Sequence, residues 1–167
     1  MSRAFVKEPD GDAVGDDAPE LPVSSHPNYM TREGFALLRD ELEALTAQRQ
    51  ALLDLNDPVR TQIEVFAIER QQRYLHIRIE SALVQEPDNH VQGKVGFGAS
   101  VTVIDEDDSE SIFTIVGEDQ AEPSIGLISW TSPLAHILMG KEAGDTVNWH
   151  RPKGDMALEI LQINYSK

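Results

Sequence analysis

The stretch LLDLNDPVRTQIE, residues 52–64, decides the architecture. Asp54, Asn56, Asp57 and Pro58 crowd together there, and such residues favour turns because their side chains bond to nearby backbone and proline fixes φ. On both sides the pattern becomes helical. Upstream, Thr31 has the chemistry of an N-cap, with Arg32, Glu33 and Gly34 opening the first turn. Phe35, Leu38, Leu42, Leu45 and Leu52 then recur at helical spacing, with Arg49 as the one polar member of the series. Downstream, Val65, Ile68, Gln72, Leu75, Ile79 and Ala82 repeat the pattern. Each stripe is too narrow to stabilise a helix alone, so the two should pack on each other, antiparallel, through the Asp54–Pro58 turn. The expectation is a coiled-coil hairpin over residues 29–88, with Leu38, Leu42, Leu45, Ile68, Leu75 and Ile79 between the arms. From Thr31 to Leu53 such an arm is about 34 Å long.

Beyond the hairpin the period changes. VGFGASVTVID (95–105), SIFTIVG (111–117), LISW (127–130), DTVNWH (145–150) and MALEILQINY (156–165) are short alternating or β-branched runs between acidic, Gly and Pro turns. One helical stretch, Ser132 to Met139, carries Pro133 in its first turn and stops at Gly140. Residues 91–167 therefore read as a globular domain: a strongly curved antiparallel sheet with one short helix. Pro87 and Gly93 frame the linker before it. The whole is α+β. Residues 1–28 read as a disordered acidic tail, since six acidic side chains face two basic ones and Pro9, Pro19, Pro22 and Pro27 interrupt regular structure. Its simplest role is to solubilise; docking to a basic partner is the sharper reading.

Composition narrows the functions. A formal net charge of −15 repels nucleic-acid phosphates and anionic lipid, which argues against autonomous DNA binding and against membrane association. Basic patches on proteins are the natural targets. With no cysteine there is no thiolate site and no disulfide. No apolar run reaches membrane-spanning length, and MSRAFVKEPDGDAVGDD lacks the apolar core of a signal peptide, so a cytoplasmic monomer is expected. His26, His76, His90, His136 and His150 show no metal-ligand spacing. The glycines of GKVGFGA run G-x-x-G-x-G with no helix following, so they suit a strand start and not a dinucleotide site. An enclosed active site is disfavoured, and no cofactor or stable metal is expected in the isolated chain.

The ordered motifs GKVGFGASVTV, FTIVGEDQAEP, GLISWTSPLAHILMGKEAGDTV and EILQINY resemble the C-terminal domain of the bacterial Gre transcript-cleavage factors, and MTREGFALLRDELEAL resembles the opening of their coiled coil. The resemblance spans about residues 29–167. It implies an FKBP-like fold for the globular domain and bacterial RNA polymerase as the partner. In that family the globular domain docks at the rim of the secondary channel, and the coiled coil reaches toward the catalytic magnesium. An acidic pair at the family's turn helps hold a second Mg²⁺ and a water that cleaves backtracked RNA.

Carried onto this chain, the resemblance assigns the catalytic role to Asp54 and Asp57, with the polymerase-bound Mg²⁺ as the only cofactor. An alternative alignment anchored on Glu64 places Pro58 and Thr61 at the pair and abolishes it. The docking segment becomes Trp130, Thr131, Ser132, Pro133 and Leu134, with Thr131 where an acidic residue is common. Arg70 and Arg73, on one helical face, become RNA-proximal; Arg78, further along, reads with them as solvated charge balanced by Glu69 and Glu80. The arms read as a heptad or more shorter than the family's, roughly 10 Å less reach. Two activities follow as rivals: an elongation factor that rescues backtracked complexes by stimulating cleavage, and a non-cleaving secondary-channel regulator of the Rnk-like kind. Either would be an accessory factor acting on the polymerase active centre and not an enzyme in its own right. A peptidyl-prolyl isomerase is the third reading, weakened by an aromatic content of 6%.

Overall fold

Thr31 caps the first helix as its side chain allows: its Oγ1 accepts from the Gly34 amide at 2.9 Å. The computed structural model, which describes residues 18–55, 58–86 and 93–165, runs from there as helix α1, Arg32–Leu53, and helix α2, Pro58–Glu80. The two helices pack in opposite directions. Met30, Leu38, Leu45, Ile68 and Leu75 are buried between them, with Phe35, Leu42, Leu52, Tyr74, Ile79 and Ala82 partly buried around that seam. Arg49, the polar member of the α1 stripe, stays in register by reaching across the seam: its Nε donates to Glu69 Oε1 at 2.8 Å. Gln72, its counterpart on α2, donates to Thr46 Oγ1 at 3.0 Å. Both polar intrusions are thus satisfied across the helix pair.

Two short strands fasten the base of this pair. Strand β1, Tyr29–Met30, lies parallel to β2, Leu83–Val84, so the residues entering α1 and leaving α2 are hydrogen-bonded to each other. Asn28 supports the joint from beneath, donating to the Arg78 carbonyl at 2.7 Å.

The second half folds on a five-stranded sheet: β3 Ala99–Asp105, β4 Glu110–Val116, β5 Leu127–Ser129, β6 Thr146–Trp149 and β7 Met156–Tyr165, in spatial order β5-β4-β3-β7-β6. Alternation along β3 explains the core. Ala99, Val101 and Val103 point inward and are fully buried, while Ser100 points outward and pairs with Thr114 Oγ1 at 2.8 Å. Ile115, Ile128, Val147, Leu158 and Ile160 close around them, and helix α3, Pro133–Leu138, covers them with Leu134, Ala135 and Leu138. A register shift between Thr102 and Val103, opposite Leu161 of β7, adds the extra residue that bends the sheet. The curl is enough to bring Phe113 of β4 and Trp149 of the far strand β6 edge to face, with ring centroids 6.1 Å apart.

The expected wholly antiparallel sheet is corrected in one place: β4 and β5 are parallel. Residues 118–125 between them form two single turns of 3₁₀ helix, Glu118–Gln120 and Pro123–Ile125, and this crossover returns the chain in the same direction. The sheet is therefore mixed. Of the expected acidic tail, residues 1–17 lie outside the described residues, as do Asp57 and residues 87–92 of the linker. Residues 18–28 make side-chain contacts with the rest of the chain, described below.

Candidate functional site

Apart from Arg70 and Arg73 along α2, the described candidate residues fall at two places, the free end of the helix pair and the first turn of α3. At the free end, Asp54 follows the last turn of α1, with its amide bonded to the Gln50 carbonyl at 3.2 Å. Its exposed carboxylate accepts a 3.3 Å bond from the Gln50 side-chain amide. No basic residue lies in that last turn. A carboxylate here faces the negative end of the helix dipole, so it opposes helix stability. Thr61, one residue of the alternative alignment, is buried at 9% exposure, and its Oγ1 finds no partner among the described residues. Among the described residues no group of three or more His, Asp or Glu could hold a metal ion.

At the other place, Ser132 caps α3 by accepting from the Ala135 amide at 3.2 Å. Pro133 occupies the first helical turn and is exposed. Leu134 is only 4% exposed and packs in the sheet core, so it anchors the segment and leaves its neighbours to form the surface. Thr131 and Ser129 share a hydroxyl hydrogen bond at 2.7 Å. Trp130 is half-buried, edge-on to Tyr29 at 5.1 Å and to His26 at 6.0 Å. Its Nε1–H is buried and finds no acceptor among the described residues.

Between the two places runs a polar junction that sets the helix pair against the sheet. Arg78 is 2% exposed, so its expected solvated role is corrected. Its Nε donates to Asp119 Oδ2 at 2.7 Å, and Glu118 Oε2 lies 3.8 Å from its Nη2. Tyr74, one turn earlier on α2, donates its phenol to Asp119 Oδ1. Burial, followed by that bond and the carboxylate charge, pushes the Tyr74 phenol up to about 12. Thr31 donates to Gln120 Oε1, and the Gly117 backbone passes so close that an added Cβ would sit 2.5 Å from the Tyr29 carbonyl oxygen. Sequence reasoning missed this junction. One signal was present: Arg78 stands three residues after Leu75, on the apolar side of α2.

Arg70 and Arg73 lie one turn apart on α2. Arg73 is exposed, and its guanidinium grips Glu20 with Nε at 3.0 and 3.1 Å from the two carboxylate oxygens. Glu69, expected to balance the arginines of its own helix, pairs with Arg49 of α1.

Comparison with known proteins fits this arrangement. Residues 89–165 match the family described as Transcription elongation factor, GreA/GreB, C-term. The chain is 37% identical over 153 residues to transcription elongation factor GreA of Alkalilimnicola ehrlichii, covering 82% of this chain and 97% of that one. The chain belongs to the GreA/GreB family of transcription elongation factors. It is also 33% identical over 152 residues to GreB of Yersinia pestis, covering 83% of this chain and 89% of that one. Among solved structures, the GreA/GreB elongation factor of Nitrosomonas europaea superposes with a TM-score of 0.42 at 20% identity, over 84% of this chain and all of that one. Among the described residues no helix is long and apolar enough to cross a membrane.

Proposed function

We propose that this GreA/GreB-family chain docks on bacterial RNA polymerase through the surface formed by Trp130, Thr131, Ser132 and Pro133, and that its helix pair enters the secondary channel. There it modulates elongation and the rescue of backtracked complexes. Asp54 and Asp57 supply carboxylate oxygens, hard ligands suited to Mg²⁺ shared with the polymerase. Arg70 and Arg73 lie on the side of the RNA. The observation that carries the reading is Asp54: an exposed carboxylate at the free end of a long helix pair, in a position that its own helix disfavours.

A second reading, occupancy of the channel without cleavage, is favoured by reach. Helices of 22 and 23 residues extend about 33–35 Å. A carboxylate several ångströms short of a metal contributes no inner-sphere ligand.

The docking half of the proposal is tested by Pro133→Glu. Leu134 is unsuitable for this purpose, because a charge there would break the core. An acidic residue in the first turn of α3 suits the helix dipole, so the fold is retained. The same charge, desolvated in a contact, weakens polymerase binding. Binding as tight as that of the wild type would place the docking surface elsewhere.

A further inference from the structure

One short segment reaches both proposed contact surfaces. Glu20 forks onto Arg73 of α2, with the closest contact at 2.6 Å. Four residues later, Ser24 donates to Glu118 Oε1 at 3.0 Å. His26 then sets its ring edge-on against Trp130, 6.0 Å between centroids. Resting on the polymerase reading above, we propose that residues 18–28 form an autoinhibitory strap that competes with RNA polymerase and its RNA for Trp130 and Arg73.

Three features fit a strap that comes off. Its ion pair is exposed on both sides, 47% at Arg73 and 62% at Glu20, so solvent screens it and a competing anion displaces it. Leu21 and Val23 are 40% and 42% exposed, so the strap buries little apolar surface to hold it down. Beneath it, Trp130 keeps a buried indole N–H with no acceptor among the described residues, a donor left for a partner carbonyl once His26 departs. The carboxylate of Glu20 also presents to Arg73 the charge that an RNA phosphate would bring. Asn28, by contrast, is 6% exposed and bonded to α2, so the segment hinges just before it.

The test uses the full chain carrying Glu20→Lys and His26→Ala together, both at exposed side chains. In a Trp149→Phe background, under selective tryptophan excitation, the emission comes from Trp130. The double variant should raise acrylamide quenching of Trp130, and it should compete for RNA polymerase roughly two- to fivefold more strongly than the wild type at low salt. That advantage should shrink as added salt screens the Glu20–Arg73 pair in the wild type. Unchanged quenching would show that the strap does not cover Trp130 and would overturn the proposal. Increased quenching with equal or weaker polymerase binding would overturn the competition alone and leave the docking reading intact. Absence of polymerase binding by both proteins would overturn the docking reading and the strap with it.

Discussion

Arg78 of α2 and Asp119 of the β4–β5 crossover meet at 2.7 Å, and the arginine is 2% exposed. The pair is a buried polar link between the helix pair and the sheet. Its energetics are asymmetric. Together the two charges partly offset their desolvation; removing Asp119 leaves the arginine buried with only the longer Glu118 contact at 3.8 Å. Asp119→Ala should therefore cost about 3–5 kcal/mol in urea unfolding. Replacing both residues, with Arg78→Met and Asp119→Leu, should cost much less. A strictly additive double variant would show that the two residues do not act as a pair.

Tyr74 gives the same junction a pH signature. Its phenol is raised to about 12 in the folded chain, above an ordinary value near 10. The folded state therefore favours the protonated phenol. The stability this contributes is complete below pH 10 and is lost as pH rises through 12. After allowance for solvent screening, roughly 1–2 kcal/mol should disappear across that window. Tyr74→Phe should be less stable at neutral pH and flatter between pH 10 and 12, measured as the difference between paired urea titrations. Parallel curves for the two proteins would contradict the assignment.

The readable and unreadable parts of this fold divide by the range of their causes. The apolar stripes of α1 and α2, the Thr31 and Ser132 caps and the alternation along β3 are local signals, and each names its own element. The parallel β4–β5 pairing depends on where residues 118–125 carry the chain, which no local period encodes. The Tyr29–Leu83 ladder and the Arg78–Asp119 pair join positions far apart in sequence. The burial of Arg78 was masked for a related reason: grouped with Arg70 and Arg73 of the same helix, it resembles a solvated face until its partner arrives from the sheet. The candidate docking and tip residues came from motif resemblance, because exposed side chains at a turn carry no periodic signal. The polar cost of Asp54 became visible only once α1 was seen to end beside it.

That cost yields a further prediction. Asp54→Asn removes a negative charge from the negative end of α1 and should stabilise the chain by about 0.3–0.5 kcal/mol. If Asp54 serves a shared Mg²⁺, the same change should lower stimulated cleavage of backtracked RNA at least tenfold, about 1.4 kcal/mol in the barrier. Polymerase affinity should be unchanged, since the proposed docking surface lies in the other half of the molecule. Adding Asp57→Asn should lower cleavage little further, because both residues would serve one metal. Absence of stimulated cleavage by the wild type would instead support channel occupancy alone.

The most direct test of the whole account is competition on the polymerase. Backtracked elongation complexes are mixed with a fixed amount of a GreB cleavage factor, and this chain is titrated in. Secondary-channel docking predicts that GreB is displaced progressively, with loss of its cross-link to the polymerase, and that Pro133→Glu shifts the titration to higher concentration. Undiminished GreB occupancy at saturating amounts of this chain would contradict docking in the channel.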